Sequence, residues 1–122
     1  MFIKCQYIYQ GGIKMKVVFH VNELEKWSTV VGNINNLLKA DAKMKAIEIV
    51  ANGEAVKGYL QADLGIALHE LAEKRVILSS CQNAMNHFEM TKETLPPFVG
   101  VVPAGVLRLV ECQTEGYAYI KS

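Results

Sequence analysis

The hydrophobic positions of the chain follow two alternating patterns that together predict an α/β fold. Short apolar runs, such as KVVFHV at 16–21, have the composition of buried strands. Between these runs lie longer segments with apolar residues three and four positions apart, which is the spacing of one helix face. The patterns predict strands at 16–21, 43–51, 75–79, 98–102 and 117–120, and helices at 25–40, 63–73, 81–90 and 103–115.

Strands that alternate with helices favour a parallel sheet with helices on both faces. The 122 residues suit one domain, which is predicted to span 15–122. Residues 1–14 stand apart because they end in Gly11-Gly12 and Ile13-Lys14, just before Met15 and the first strong strand. They are predicted to be a leader or extension with little order, and an added edge strand at 2–9 is the alternative.

Composition excludes several classes of partner. Thirteen Lys and Arg against twelve Asp and Glu give a net charge of +1, which does not favour nucleic acid or an anionic membrane surface. No apolar run is long enough to span a bilayer, and the N-terminus lacks the pattern of a signal peptide. Three widely spaced cysteines indicate free thiols in a reducing compartment, so we expect a cytoplasmic protein.

The segment VILSSCQNAMNHFEM at 76–90 is where chemistry is expected. It places Cys81 after an apolar strand and a pair of serines, at the start of a predicted helix. Free N–H groups and the helix dipole favour an anion there. The same position is expected to lower the pKa of Cys81 below the ordinary thiol value of about 8.5 and to make it a better nucleophile.

Ligands of open α/β sheets bind beyond the carboxyl ends of the strands, so polar residues at those ends are candidates for a binding pocket. No phosphate-binding glycine loop and no His-rich cluster occurs at these positions, so neither a cofactor nor a metal is predicted. The candidate binding residues are Asn22, Glu23, Asn52, Gly53, Gln82, Asn83 and Gly105.

Each candidate also has a purely structural interpretation. Cys81 is as compatible with a small buried residue as with a reactive thiol, and Cys112 fits a core or interface thiol inside an apolar helix. The three histidines, His20, His69 and His87, are far apart in the sequence and are interpreted as structural or surface groups.

Several segments in order resemble one known family. They are KVVFHV at 16–21, GNINNLL at 32–38, CQNAM at 81–85, VVPAGV at 101–106 and QTEGYAYI at 113–120. Together they resemble the DsrE/DsrF-like family of small sulfur-relay proteins over about residues 15–121. The leader lies outside this resemblance.

The resemblance implies a flavodoxin-like three-layer sandwich that assembles as a homotrimer or homohexamer. It also implies that Cys81 matches the cysteine that carries sulfur as a persulfide in sulfur-transferring members, with donor and acceptor proteins as partners. One position departs from the pattern, because Asn52 stands where many relatives have a histidine before Gly53. A neutral amide can form hydrogen bonds but cannot act as an acid or a base.

The functional hypothesis is therefore a sulfurtransferase-like sulfur carrier with Cys81 as its nucleophile. The residues leave open whether the chain is an enzyme. The alternative is a non-catalytic oligomeric binding or regulatory protein, in which Cys81 is buried or unreactive. A third possibility, thiol-based redox sensing, requires a second cysteine near Cys81, and Cys112 is the candidate.

Overall fold

The structure, a computed structural model, describes residues 15–40 and 43–122. The predicted leader lies outside these residues. Two short 3₁₀ helices, Leu24–Lys26 and Lys92–Thr94, and a longer one, Gly53–Leu60, interrupt the regular elements. The strands and α-helices are β1 (Lys16–Val21), α1 (Trp27–Ala40), β2 (Ala46–Ala51), α2 (Ala62–Glu73), β3 (Ile77–Cys81), α3 (Gln82–His87), β4 (Val99–Val102), α4 (Gly105–Thr114) and β5 (Ala118–Lys121).

The five strands form one sheet in the order β4-β3-β2-β1-β5, and every pair of neighbours is parallel. The predicted layered α/β architecture is therefore confirmed, with a strand order that differs from the order 2-1-3-4-5 of flavodoxin. The chain steps outward from β1 to β4 and then crosses back to place β5 on the other side of β1. The strand order consequently reverses between β1 and β5.

One face of the sheet, which we call the apolar face, packs against α1, α2, α3 and the 3₁₀ helix Gly53–Leu60. Alternate strand residues such as Phe19, Ile49 and Leu78 point into this layer and are almost fully buried. Trp27 packs edge-on against Tyr59, and its indole N–H donates to the carbonyl of Ala55. This face holds most of the hydrophobic core.

The opposite face, which we call the α4 face, is covered by α4. Its core is small and consists of Val18, Val50, Leu109 and Cys112, with Tyr117 at its border. Glu48, two residues before Val50 on β2, points to the same face and is 1% exposed.

Two predicted boundaries around Cys81 are wrong. The third strand begins at Ile77, not at residue 75, because Arg75 has a φ of 71° and ends the turn after α2. The helix after Cys81 ends at His87, not at residue 90, because Glu89 has a φ of 56° and the Met90 amide closes the turn on the carbonyl of Met85. In both places a left-handed residue, unfavourable for non-glycine side chains, stops regular structure.

The agreement of the other boundaries varies, and the second strand begins at Ala46, three residues after its predicted start. The first strand has the predicted bounds, and the segment between the second predicted strand and the second predicted helix contains the 3₁₀ helix Gly53–Leu60. Gly116 has a φ of 93° just after α4, a conformation in which glycine commonly ends a helix. Among the described residues, no helix has both the length and the apolar character that crossing a bilayer requires.

Candidate functional site

Cys81 is the last residue of β3 and the residue that precedes α3. It lies opposite Val102 of β4, and its side chain is 6% exposed. The helix that follows has six residues, whereas the sequence pattern predicted ten. Because peptide dipoles add along a helix, this short helix favours an anion at Cys81 less than we expected.

Asn52 and Gly105 lie beside Cys81, although the three residues come from different parts of the chain. A β-carbon built on Gly105 would lie 3.4 Å from the Cys81 Cβ atom, 3.4 Å from the Asn52 Nδ2 atom and 3.0 Å from the Asn52 Cβ atom. The absence of a side chain at the start of α4 therefore lets the Asn52 amide and the Cys81 side chain approach the same small space. Three of the predicted site residues are brought together here.

A row of hydrogen bonds continues from Asn52 toward β5, the outermost strand on this side of the sheet. The His20 Nε2 atom lies 3.0 Å from the Asn52 Oδ1 atom, and the His20 Nδ1 atom lies 2.7 Å from the Tyr119 hydroxyl. His20 is on β1 and Tyr119 is on β5, the two strands between which the strand order reverses. The row therefore occupies the place where open α/β sheets bind ligands.

The His20 imidazole is held in its neutral form by its surroundings. Partial burial lowers the pKa of His20 below its ordinary value of 6.5, the hydrogen bond with Asn52 acts in the opposite direction, and the charge of Lys121 lowers it further. A neutral imidazole has one N–H donor and one acceptor nitrogen.

Asn22 and Gly53 form a second contact at the same edge. The Lys121 ammonium donates to the Asn22 Oδ1 atom at 3.0 Å. Gly53 has a φ of 55°, and a β-carbon there would lie 3.1 Å from the Asn22 carbonyl oxygen. A glycine at 53 thus allows the loop after β2 to pass close to the end of β1.

The remaining predicted binding residues are less closely tied to Cys81. Glu23 and Asn83 are exposed, and Gln82 donates from its side-chain amide to the Asn86 Oδ1 atom on its own helix. Glu23 precedes the 3₁₀ helix Leu24–Lys26 and accepts the Lys26 amide through its carbonyl oxygen. These residues follow the ends of β1 and β3, and the hydrogen bonds of Glu23 and Gln82 lie within their own helical segments.

Cys112 belongs to a separate buried cluster. Its Sγ atom lies 3.8 Å from the Glu48 Oε1 atom, and burial together with the Glu48 charge raises the pKa of Cys112 to about 11. Gly105, the neighbour of Cys81, lies about two helical turns before Cys112, or roughly 10 Å along α4. Disulfide geometry needs Cα atoms within about 7 Å, so the arrangement does not favour a Cys81–Cys112 bond.

Sequence reasoning missed His20 and Tyr119 as members of the site. We interpreted His20 as a structural or surface group, whereas it links Asn52 to Tyr119. One signal was present, because a polar residue followed the buried run of β1 at the carboxyl end of that strand. Tyr119 had no such signal, since only the sheet order places β5 beside β1.

Solved structures with the same fold come from bacteria and an archaeon. A protein of unknown function from Methanobacterium thermoautotrophicum, MTH1491, is 28% identical and has a TM-score of 0.83, with 89% of this chain and 100% of that chain covered. The YchN protein from E. coli is 13% identical with a TM-score of 0.77, covering 88% of this chain and 99% of that one. A conserved protein of unknown function from Bacteroides thetaiotaomicron, BT1422, is 14% identical with a TM-score of 0.66, covering 86% and 94%.

No curated protein matches the chain. The sequence profile of the DsrE/DsrF-like family matches residues 15–122, which include every described strand and helix. The resemblance seen in the sequence is thereby confirmed, and the chain belongs to the DsrE/DsrF-like family.

Proposed function

We propose that this protein is a sulfur carrier that takes up and passes on sulfur as a persulfide on Cys81. The observation that carries the proposal is the position of Cys81 at the carboxyl end of β3, beside the Asn52 amide and Gly105, in a chain of the DsrE/DsrF-like family. Donor and acceptor proteins of the sulfur are its partners in this proposal.

The transfer step is a nucleophilic displacement at sulfur. The Cys81 thiolate attacks the outer sulfur of a donor persulfide, a new S–S bond forms at Cys81, and the donor S–S bond breaks. The donor leaves as a thiolate, and the proton of the outer sulfur moves with that sulfur. The reverse displacement by an acceptor thiolate removes it, so neither step needs an external oxidant or reductant.

Loading of Cys81 tests this proposal directly. The folded protein is incubated with glutathione persulfide, and the intact protein and its peptides are weighed by mass spectrometry. We expect a gain of one sulfur atom on the Cys81 peptide, its loss on addition of a thiol acceptor, and no gain in Cys81→Ser. A Cys81 that stays unmodified while another cysteine gains sulfur would contradict the proposal.

The burial of Cys81 favours a second candidate function, a non-catalytic binding or regulatory protein. A side chain that is 6% exposed gives a donor protein little access. In that case the polar groups near the reversal of strand order would hold a small ligand or the end of a partner chain. Alkylation of Cys81 only after unfolding would support this candidate over the sulfur carrier.

We also propose that the protein assembles as a homotrimer or homohexamer through the outer surface of α4. Three apolar side chains of this helix are unusually open to solvent, with Val106 63%, Leu107 48% and Val110 59% exposed. Ile77, on the same face of the sheet, is 49% exposed. Neighbouring apolar side chains left this open to solvent on one helix are typical of a protein interface.

A charge placed on this surface tests the assembly. We expect Val110→Lys to dissociate the oligomer in sedimentation velocity, because a lysine at the centre of an apolar interface must be desolvated. Ile66→Lys is the matched control, since Ile66 is also a helix residue and is 68% exposed but lies on α2. A wild-type protein that sediments as a monomer would contradict the proposed assembly.

A further inference from the structure

The two hydrogen bonds of the His20 ring can form together when each runs from donor to acceptor in the same direction along the row. If the Tyr119 hydroxyl donates to Nδ1, then Nε2 carries the imidazole proton and donates to the Asn52 Oδ1 atom. Each donor in the row then meets one acceptor. The neutral imidazole that this arrangement requires is the form favoured by the lowered pKa of His20.

This direction fixes which end of the Asn52 amide faces Cys81. With Oδ1 held by His20, the two N–H donors of Nδ2 point to the other side of the amide. The Nδ2 atom and the Cys81 Cβ atom each lie 3.4 Å from the β-carbon position of Gly105. The amide donors and the Cys81 side chain therefore border the same space, which a side chain at 105 would fill.

The groups next to the row are held in place by further contacts. Lys121 on β5 is the charged group that acts on His20, and its ammonium is bound to Asn22 and to the carbonyl of Ser122. The backbone of Asn52 is also fixed, because its amide donates to the Val21 carbonyl at 3.0 Å. Asn52 is thus held both at its backbone N–H and at its side-chain oxygen.

We propose that Tyr119 and His20 are positioning residues that act through Asn52, turning its Nδ2 donors toward Cys81 to stabilise negative charge on the thiolate and on the persulfide. The proposal rests on the proposed function and adds the residues that prepare Cys81 for it. It also gives Asn52 a role that needs no proton transfer, in a position where a histidine would present a titratable ring.

The test compares alkylation rates of Cys81 across pH in the full-length protein. Iodoacetamide labelling is followed by peptide mass spectrometry, so that Cys81 is distinguished from the other cysteines. At pH 7 we expect Asn52→Ala to slow labelling by about tenfold, because a hydrogen bond to a charged group is lost. His20→Phe and Tyr119→Phe are expected to slow it by smaller factors, in that order. Asn33→Ala, which removes an exposed amide on α1 away from Cys81, is the control and should leave the rate unchanged.

The shape of the pH profile separates positioning from a general structural effect. If the row acts as proposed, the variants shift the profile to higher pH while the limiting rate at high pH stays the same. Profiles that coincide with the wild-type curve, or variants that label faster at pH 7, would overturn the proposal.

The tautomer of His20 in the wild-type protein provides a measurement that requires no variant. Long-range ¹H–¹⁵N spectra at pH 7.5 should show a neutral ring with its proton on Nε2. A proton on Nδ1 would turn the Asn52 oxygen toward Cys81 and would overturn the proposal.

Persulfide loading then distinguishes this proposal from the function on which it rests. Slower alkylation in the variants together with a wild-type Cys81 that never loads sulfur would support the positioning row and contradict the sulfur carrier. Normal loading of the wild type with unchanged alkylation in all three variants would support the sulfur carrier and contradict the positioning row.

Discussion

The two faces of the sheet are built on different principles. The apolar face buries a continuous hydrophobic layer beneath three α-helices and a 3₁₀ helix, and its residues need only size and shape to fit. The α4 face has a small apolar cluster and a buried carboxylate, Glu48, in the middle of β2. That carboxylate requires specific partners, because a buried charge is costly unless it is paired and hydrogen-bonded.

Those partners come from two separate parts of the chain. Arg108 of α4 donates to both Glu48 oxygens, at 2.9 and 2.8 Å, and the Ser79 hydroxyl of β3 donates at 2.9 Å. The paired carboxylate raises the pKa of Arg108 further above its usual range. The α4 helix is therefore held on the sheet by directional contacts as well as by burial. The same helix begins at Gly105, beside Cys81, so the polar cluster also fixes one wall of the candidate site.

The largest expected effect comes from removing the charge partner of Glu48. Arg108→Met leaves the carboxylate buried without its cation, and we expect the free energy of unfolding in urea to fall by about 3–5 kcal/mol. Glu111→Gln is the control, because it removes only the exposed pair with Arg108 and should cost less than about 1 kcal/mol.

A double variant sharpens this prediction. Glu48→Met together with Arg108→Met removes both charges, so much of the lost stability should return. A double variant less stable than Arg108→Met alone would show that the buried charge is not the source of the loss.

The apolar face should respond to volume instead of charge. A β-carbon on Gly58 would lie 2.2 Å from the Trp27 Nε1 atom, so Gly58→Ala must displace the indole and its hydrogen bond to Ala55. We expect a loss of about 2–3 kcal/mol in urea unfolding.

Gly65→Ala supplies the comparison, because Gly65 lies inside α2 with nothing within 4 Å of its β-carbon position. It should raise the stability by about 0.5–1 kcal/mol through helix propensity. Similar losses in the two variants would argue against close packing at Gly58.

Two adjacent serines of β3 allow the two faces of the sheet to be compared within one strand. Ser79 points to the α4 face and donates to Glu48, whereas Ser80 points to the apolar face and is fully buried. Its hydroxyl has no hydrogen-bond partner among the described residues. We expect Ser79→Ala to cost about 1–2 kcal/mol and Ser80→Ala to be neutral or stabilising by up to about 1 kcal/mol. Equal losses, measured by thermal and urea unfolding, would contradict the distinction.

The smallest expected effect is a pH dependence from His20. Its pKa is lowered in the folded protein, so above about pH 6.5 the ring is neutral in both the folded and unfolded states and contributes nothing. As the pH falls through 6.5, the unfolded chain binds the proton first, and stability decreases until the folded ring is protonated as well. In His20→Gln the loss of stability between pH 7.5 and 5.5 should be smaller than in the wild type. His69→Gln, at an exposed histidine of α2, should retain the full loss.

The sequence was most informative where burial is periodic and contacts are local. The bounds of β1 were predicted correctly because a mostly apolar run ends in Asn22-Glu23. The ends around Cys81 were not, because Arg75 and Glu89 adopt left-handed conformations that their residue types do not announce. Neither position is occupied by glycine, the residue that usually adopts this conformation in a turn.

The candidate site divides in the same way. Cys81, Asn52 and Gly105 could be named because each follows an apolar run that predicts a strand, and parallel strands bring such ends to one edge. His20 and Tyr119 are 99 positions apart and meet only because β5 crosses back to pair with β1. No local pattern encodes that pairing.

By itself, the sequence determined the alternation of strands and helices, the edge of the sheet at which chemistry is expected, and the thiol at its centre. These follow from hydrophobic periodicity and turn residues, which act over a few positions. The tertiary structure alone decided the order of the strands, the partners of Glu48 and the row that joins Tyr119 to Asn52. Those features depend on which distant strands become neighbours, and many sequences with the same local pattern are compatible with more than one such arrangement.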